Sequence, residues 1–323
     1  MEKSLDQKIL EIRGNPGSKE FIIADAKDAD MAFGIAATGP PDGYRHPSIQ
    51  EYQQRIRLVI QQGVVDIVLM SASNAELLAH HEPLFNGSPI TPAARANDAS
   101  DIWISRGGVY AQQPSLPFRT ATLDGMQSSG IDLGLYSVTF NNDAERDHAT
   151  LTAYNEFRIE AESKGFRYIL EVFNPNVPGA VAPDVVGHFL NDHIARMLAG
   201  VGQGSRPLFL KIPYHSPAVL EELIQYDSNL IVGILGGASG TTYDAFKLLA
   251  DAQKYGARAA LFGRKINNAE DPLAFIERLR HIADGDENAE EAVRHYHDAL
   301  ERNGIRPARP LDEDSQLVTH GVH

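Results

Sequence analysis

The sequence lacks cysteine and long apolar runs, and it has fewer basic than acidic residues. Without cysteine, the chain has no disulfide, no thiolate metal site and no cysteine nucleophile. No apolar run approaches the ~18 residues of a membrane span, and the charged start MEKSLDQK does not resemble a secretory signal. A formal net charge of −14 disfavours binding to nucleic acid or to an anionic membrane. We therefore expect a cytoplasmic protein that binds neither.

Apart from these absences, the composition is that of an ordinary globular protein. Of the 323 residues, 43 % are hydrophobic and 22 % are charged, which excludes a wholly disordered chain. A chain of this length buries a large core without disulfides or metals. It suits one or two domains, and an α/β barrel uses roughly 250 residues as a single unit.

Short apolar segments alternate with longer segments of helical periodicity. Most of the short segments are hydrophobic throughout, which is typical of parallel strands covered on both faces. The predicted strands lie at residues 21–24, 64–70, 101–105, 133–139, 168–172, 208–212, 230–235 and 259–262. The predicted helices lie at residues 48–62, 74–84, 143–164, 184–199, 217–225, 242–255 and 272–283.

This alternation predicts a (β/α)8 TIM barrel over residues 1–305, followed by a C-terminal tail at residues 306–323. A doubly wound open sheet is the alternative. It needs fewer strands, and no Gly-x-Gly-x-x-Gly follows the first strand to support it. Residues 86–127 are rich in Pro, Gly, Ser and Gln, and they predict a long loop near the mouth of the barrel.

The active site of a barrel lies at the carboxyl ends of its strands, so polar residues there are candidates. Lys211 lies within the apolar strand LFLKIPY. Burial would lower the pKa of its amine, and a neutral amine can attack a carbonyl to form a Schiff base. Glu171 has the equivalent place one strand earlier, and it is the expected partner and proton carrier. The alternative is a buried ion pair without a catalytic role.

Glycines follow the last two predicted strands. Gly236, Gly237 and Ser239 follow the seventh strand, and Gly263 and Arg264 follow the eighth. Barrels often bind phosphate at these two loops, where backbone N–H groups approach the ligand closely and a guanidinium adds charge. The sequence therefore predicts a phosphate site here.

Two further residues are candidates for catalysis. Asp25 lies near the end of the first strand, where a solvated loop carboxylate is the alternative. Tyr136 lies in the fourth strand, where simple packing is the alternative. The histidines show no metal-ligand spacing: His80 and His81 are adjacent on a predicted helix, so their side chains diverge. We expect no catalytic metal and no cofactor.

The late strands resemble the class I (Schiff-base) aldolases of the deoxyribose-phosphate/tagatose-bisphosphate aldolase superfamily, which includes the archaeal-type fructose-bisphosphate aldolases. The segment around Lys211 is similar to the family's sixth strand with its Schiff-base lysine. Residues 236–239, with Gly263 and Arg264, are similar to its phosphate-binding end, and Glu171 matches a strand-five glutamate of one branch. The resemblance implies metal-independent cleavage or formation of a C–C bond in a phosphorylated sugar. It also implies a homo-oligomer.

The sequence departs from the family in three places. Ala26 follows Asp25 at the first strand, Tyr136 is only the nearest match in the fourth, and residues 86–127 are longer than the family's version. These departures leave the sugar open. Two alternatives remain: a thiolase-like enzyme that uses the same lysine for acyl transfer on a phosphorylated dione, and a non-catalytic sugar-phosphate-binding barrel.

Overall fold

Eight parallel strands close into one barrel in chain order, which confirms the predicted (β/α)8 TIM barrel. The computed structural model describes residues 2–15, 17–98, 105–237 and 240–319. The strands are β1 (Ile22–Lys27), β2 (Ile67–Met70), β3 (Thr91–Arg95), β4 (Leu133–Thr139), β5 (Arg167–Phe173), β6 (Leu210–Ile212), β7 (Val232–Leu235) and β8 (Ala259–Phe262). The helices are α1 (Ser4–Gly14), α2 (Ala29–Phe33), α3 (Ile49–Gln62), α4 (Ala72–Ala75), α5 (Leu123–Ser128), α6 (Ala144–Ser163), α7 (Val186–Ala199), α8 (Pro217–Tyr226), α9 (Thr242–Lys254), α10 (Arg264–Asn267), α11 (Pro272–Asp284), α12 (Ala289–Arg302) and α13 (Leu311–Asp314).

The third strand differs from the sequence-based expectation. Apart from Ser105, the predicted strand at residues 101–105 lies outside the described residues. The strand that pairs with β2 and β4 is β3, which falls inside the segment predicted as a long loop. Its sequence, TPAAR, contains a proline and small residues instead of the β-branched residues that favour strands. Pairing with both neighbours holds it extended.

The side chains of the strands form two apolar layers, because successive residues on a strand point to opposite faces. The inner layer fills the barrel and includes Ala24 of β1, Leu135 of β4 and Leu261 of β8. The outer layer packs against the helices and includes Tyr136 of β4 and Phe262 of β8. The face of each residue therefore decides whether it can reach a pocket inside the barrel.

Helix α1 closes the amino-terminal end of the barrel. Its buried residues Leu5 and Ile9 belong to the inner layer. Beside them, buried Asp66 accepts a hydrogen bond from the Ile23 backbone N–H at 2.9 Å. The same carboxylate lies 3.0 Å from Lys8 Nζ. It also lies 3.3 Å from a nitrogen of Arg280. Asp66 thus joins α1, β1 and α11 at the closed end.

Part of the described chain after residue 305 packs back onto the barrel. Asp314, in α13, accepts a hydrogen bond from the Thr242 backbone N–H at 2.8 Å and lies 3.0 Å from His297 Nε2. These partners are distant in sequence, so no local pattern in residues 306–323 reveals them. The domain boundary at residue 305 stays a prediction.

No helix within the described part of the chain is long and apolar enough to cross a membrane. The cytoplasmic location and the homo-oligomer expected from the sequence stay predictions.

We expect Asp66→Ala to destabilise the fold by about 2 to 4 kcal/mol, because it leaves a buried N–H without its acceptor and removes the carboxylate that Lys8 and Arg280 share. Urea unfolding should show a lower midpoint with an unchanged slope. Asp66→Asn, which keeps an acceptor for the Ile23 N–H, should lose less. A midpoint for Asp66→Ala equal to that of the wild type would contradict this role.

Candidate active site

A pocket opens at the carboxyl ends of the strands, where a barrel builds its active site. Its space, including the open mouth, is about 490 Å³. Among the residues that the structure describes, five charged ones line it: Asp28 after β1, Arg95 of β3, Glu171 of β5, Lys211 of β6 and Arg264 after β8. The sequence had predicted Lys211, Glu171 and Arg264 as site residues, and the fold brings them to one pocket.

Strand register places three polar residues side by side. Ser137 of β4 pairs with Glu171 of β5, which pairs with Lys211 of β6. Residues aligned on neighbouring parallel strands project to the same side of the sheet. These three side chains therefore meet within the top layer of the barrel.

Lys211 and Glu171 form a buried ion pair. Lys211 Nζ lies 2.5 Å from Glu171 Oε1, and the two side chains are 10 % and 2 % exposed. The other carboxylate oxygen, Oε2, accepts a hydrogen bond from the Ser137 hydroxyl at 2.7 Å. Both oxygens of Glu171 are thus held, and one is directed at the amine.

The surroundings of Glu171 keep its carboxyl group ionised. Burial alone raises its pKa, but the charges of Lys211 and Arg95 and the hydrogen bonds from Lys211 and Ser137 outweigh burial. The pKa of Glu171 therefore lies below its ordinary value of 4.5. At neutral pH this group is a proton acceptor.

Arg95 is the main residue that the sequence analysis missed. Its side chain is 2 % exposed, with Nε 3.3 Å from Asp28 Oδ2 and Nη1 3.5 Å from Glu171 Oε2. It thus bridges the two carboxylates of the pocket. With Lys211 they form a cluster of two positive and two negative charges. The only signal in the sequence was an arginine after a run of small residues, which is too weak to indicate a strand end.

The predicted position of Asp25 is corrected by the structure. Asp25 lies on the outer face of β1, fully buried, with Oδ2 3.0 Å from Lys27 Nζ. It does not line the pocket, and Asp28 does. The strand runs further than predicted, to Lys27, so inner and outer positions alternate as far as Asp28. Of Asp25 and Asp28, it is Asp28 that reaches the inside of the barrel.

The predicted role of Tyr136 meets the same correction. Its ring stacks on Phe157 of α6 with centroids 4.2 Å apart, in the outer layer of the barrel. The next residue, Ser137, points inward and holds Glu171. Tyr136 therefore has the packing role that was the alternative for it.

Most residues of the predicted phosphate site line one end of the pocket. Gly236, Gly237, Gly263 and Arg264 line the pocket, whereas Ser239 lies outside the described residues. A Cβ at Gly236 would lie 2.1 Å from the ring of Phe262, so a side chain has no space there.

Two neighbours shape this phosphate end. Gly237 has φ +58°, a left-handed conformation that favours glycine. The Arg264 guanidinium lies over the ring of Phe33, 4.5 Å from its centroid, which fixes the cation at the edge of the pocket.

The described residues contain no group of three or more His, Asp or Glu side chains arranged to hold a metal ion. The chemistry that the pocket itself offers is that of an amine, two carboxylates and two guanidinium groups.

Comparisons with known proteins give similarity in fold. No family model matches the sequence, and no curated protein is similar to it. Among solved structures, one of an archaeal fructose 1,6-bisphosphate aldolase is 16 % identical with a TM-score of 0.63, covering 87 % of this chain and 100 % of that one. The fructose-bisphosphate aldolase from Slackia heliotrinireducens is 13 % identical with a TM-score of 0.65, covering 99 % of this chain and 95 % of that one.

A third structure shows an archaeal fructose-1,6-bisphosphate aldolase with its catalytic Lys covalently bound to the carbinolamine intermediate of the substrate. It is 16 % identical, with a TM-score of 0.63, and the match covers 87 % of this chain and 99 % of that one. At these identities the similarity lies in the fold: this chain is a TIM barrel of the kind found in Schiff-base fructose-bisphosphate aldolases.

Proposed function

We propose that this protein is a metal-independent class I aldolase that cleaves or forms a C–C bond in a phosphorylated ketose through a Schiff base on Lys211. The observation that carries the proposal is the Lys211 amine, buried inside the barrel with a carboxylate oxygen 2.5 Å away. The phosphate-type loops at the same pocket and the fold shared with Schiff-base aldolases support it.

Glu171 supplies the proton transfers that imine formation needs. The attacking amine must be neutral, and Glu171 Oε1 is placed to accept a proton from Lys211 Nζ. Attack on the ketose carbonyl gives a carbinolamine. Glu171 then returns a proton to its hydroxyl group, which leaves as water. The product is a protonated imine between Lys211 and the substrate.

The protonated imine then serves as the electron sink. The C–C bond two carbons from the nitrogen breaks, its electron pair moves into the iminium as an enamine, and the neighbouring hydroxyl loses its proton to give an aldehyde. Asp28 is the second carboxylate of the pocket, and we assign it to that proton. Protonation of the enamine carbon and hydrolysis release the ketone and restore Lys211.

Arg95 keeps this cluster in balance. It lies between Asp28 and Glu171, so the two carboxylates share one cation and do not repel each other at close range. Each buried charge thus has an opposite charge beside it, which offsets part of the cost of its burial. Arg95 therefore helps to keep Glu171 ionised and holds Asp28 beside it.

Arg264 and the glycines hold the phosphate of the substrate. A phosphate bound at the edge of the pocket orients a flexible sugar so that its carbonyl carbon faces Lys211, and remote binding energy is used for positioning.

We expect borohydride reduction in the presence of dihydroxyacetone phosphate to leave a covalent adduct on Lys211, located by peptide mass mapping. Lys211→Met should give no adduct, because it has no amine. Tyr136→Phe is the matched control inside the same barrel, and it should be trapped like the wild type because its ring faces the helices.

The products that the enzyme releases without borohydride separate the alternatives. Aldehyde release from a ketose phosphate supports the aldolase, whereas acyl transfer from a phosphorylated dione to a thiol would replace it with the thiolase-like reaction. Stabilisation by sugar phosphate without any adduct would leave only a binding protein. An adduct on another lysine would show that Lys211 is not the nucleophile.

The lowered pKa of Glu171 predicts how stability depends on pH. Such a carboxylate contributes its full stability above its ordinary pKa of 4.5 and loses it as pH falls through the lower folded value. The difference in unfolding free energy between the wild type and Glu171→Gln should therefore shrink below pH 4.5. Urea unfolding at a series of pH values measures it, and a difference that stays constant would refute the shift.

We expect Arg264→Met to raise the KM for a phosphorylated ketose about 10- to 100-fold, the loss of one or two charge-assisted contacts. Trapping of unphosphorylated dihydroxyacetone should change little. Arg258→Met is the matched control, because Arg258 precedes β8 at the opposite end of the barrel. If Arg264→Met weakened the binding of both substrates equally, Arg264 would not belong to the phosphate site.

A further inference from the structure

Lys27 is a buried amine that the proposed mechanism does not use. It ends β1 on the outer face of the strand and is 1 % exposed. Its Nζ lies 3.0 Å from Asp25 Oδ2 and donates a hydrogen bond to Asn267 Oδ1 at 2.6 Å. These three side chains lie behind the pocket wall, between β1 and α10.

Burial of these two charged side chains reduces the stability of the fold. Burial lowers the pKa of Lys27 and raises that of Asp25, since each charged form loses its hydration. A buried ion pair is often no more stabilising than apolar residues of similar volume. Stability alone therefore gives little reason for a lysine here, and its contacts indicate another role.

Asn267 is the point where three segments meet. Its side-chain oxygen accepts from Lys27 of β1, and its side-chain nitrogen donates to the Ala37 carbonyl at 3.3 Å. Its backbone N–H donates to the Gly263 carbonyl at 2.8 Å, which closes the single turn of α10. The end of β1, the segment that contains Ala37, and α10 are thereby tied together.

Two of these segments form the phosphate end of the pocket. Arg264 begins α10, three residues before Asn267. Phe33, whose ring lies under the Arg264 guanidinium, precedes Ala37 by four residues. The contacts of Asn267 with Lys27 and with Ala37 thus tie together the segments that carry the cation and the ring on which it rests.

We propose that Lys27 and Asn267 are positioning residues that set the affinity of this site for the phosphate group of its substrate, by holding Arg264 against Phe33. They touch no substrate atom and act through α10. The inference rests on the proposed function, and it extends that function from the pocket to the layer behind it.

The test compares two ketoses that differ only by a phosphate. Borohydride trapping is titrated with dihydroxyacetone phosphate and with dihydroxyacetone, using the wild type, Lys27→Met, Asn267→Leu and the double variant. We expect each single variant to raise the half-saturating concentration of dihydroxyacetone phosphate roughly tenfold, the scale of a small misplacement of a binding group. The value for dihydroxyacetone should stay within about twofold.

The double variant shows whether the two residues act together. If they act as one link, its effect should equal that of Asn267→Leu alone, because Asn267→Leu already removes the contact with Lys27 together with the bond to Ala37. Additive losses would overturn the link, and so would equal losses with both ketoses or no loss with either. If Lys27→Met does not fold, Asn267→Leu alone decides the matter, since it leaves the Lys27–Asp25 pair in place.

A separate readout distinguishes this inference from the proposed function. Stabilisation by inorganic phosphate, measured as a shift in Tm, reports on the phosphate end without any Schiff base. If wild-type Lys211 is never trapped, the aldolase proposal fails, yet a phosphate shift that Lys27→Met and Asn267→Leu both abolish still supports the positioning role. If both variants keep the wild-type shift, the positioning role fails, whatever happens at Lys211.

Discussion

The ion pair between Lys211 and Glu171 is the constraint on which the rest of the pocket depends. Two charges inside a barrel are tolerated only when they are paired and hydrogen-bonded. Ser137 holds one oxygen of Glu171, and Arg95 joins that carboxylate to Asp28. Each of these charges has an opposite charge beside it, and the cluster places a proton acceptor against an amine. In our proposal, the same arrangement that makes burial tolerable supplies the proton transfers of imine chemistry.

The end of β1 carries charged residues on both faces, and the two faces have different surroundings. Asp28 reaches the pocket, whereas Asp25 and Lys27 lie between the barrel and the helices. On the outer side, Lys27 contacts Asn267, at the end of the short helix that Arg264 begins. In our proposal the inner face serves the reaction and the outer face serves the phosphate end. In this proposal, one strand therefore connects the reacting end of the site with its phosphate end.

Much of the candidate site followed from local sequence, and the errors have two causes. Lys211 and Glu171 stand out because each is a charged residue within an apolar strand. Asp25 and Tyr136 were candidates for catalysis but lie on the outer face of the barrel, because a difference of one residue reverses the side to which a strand residue points. Arg95 was missed because β3 has the composition of a loop and is held as a strand by its neighbours.

The sequence by itself determined the alternation of strands and helices, and with it the closed barrel and the end at which the active site lies. It also indicated the amine, its carboxylate partner and the late glycines. The tertiary structure decided which residues face inward, the pairing of Arg95 with Asp28 and Glu171, and the contact of Lys27 with Asn267. The physical reason is range. Hydrophobic periodicity acts over neighbouring residues, whereas Lys27 and Asn267 are 240 positions apart and meet only when β1 pairs with β8 to close the barrel.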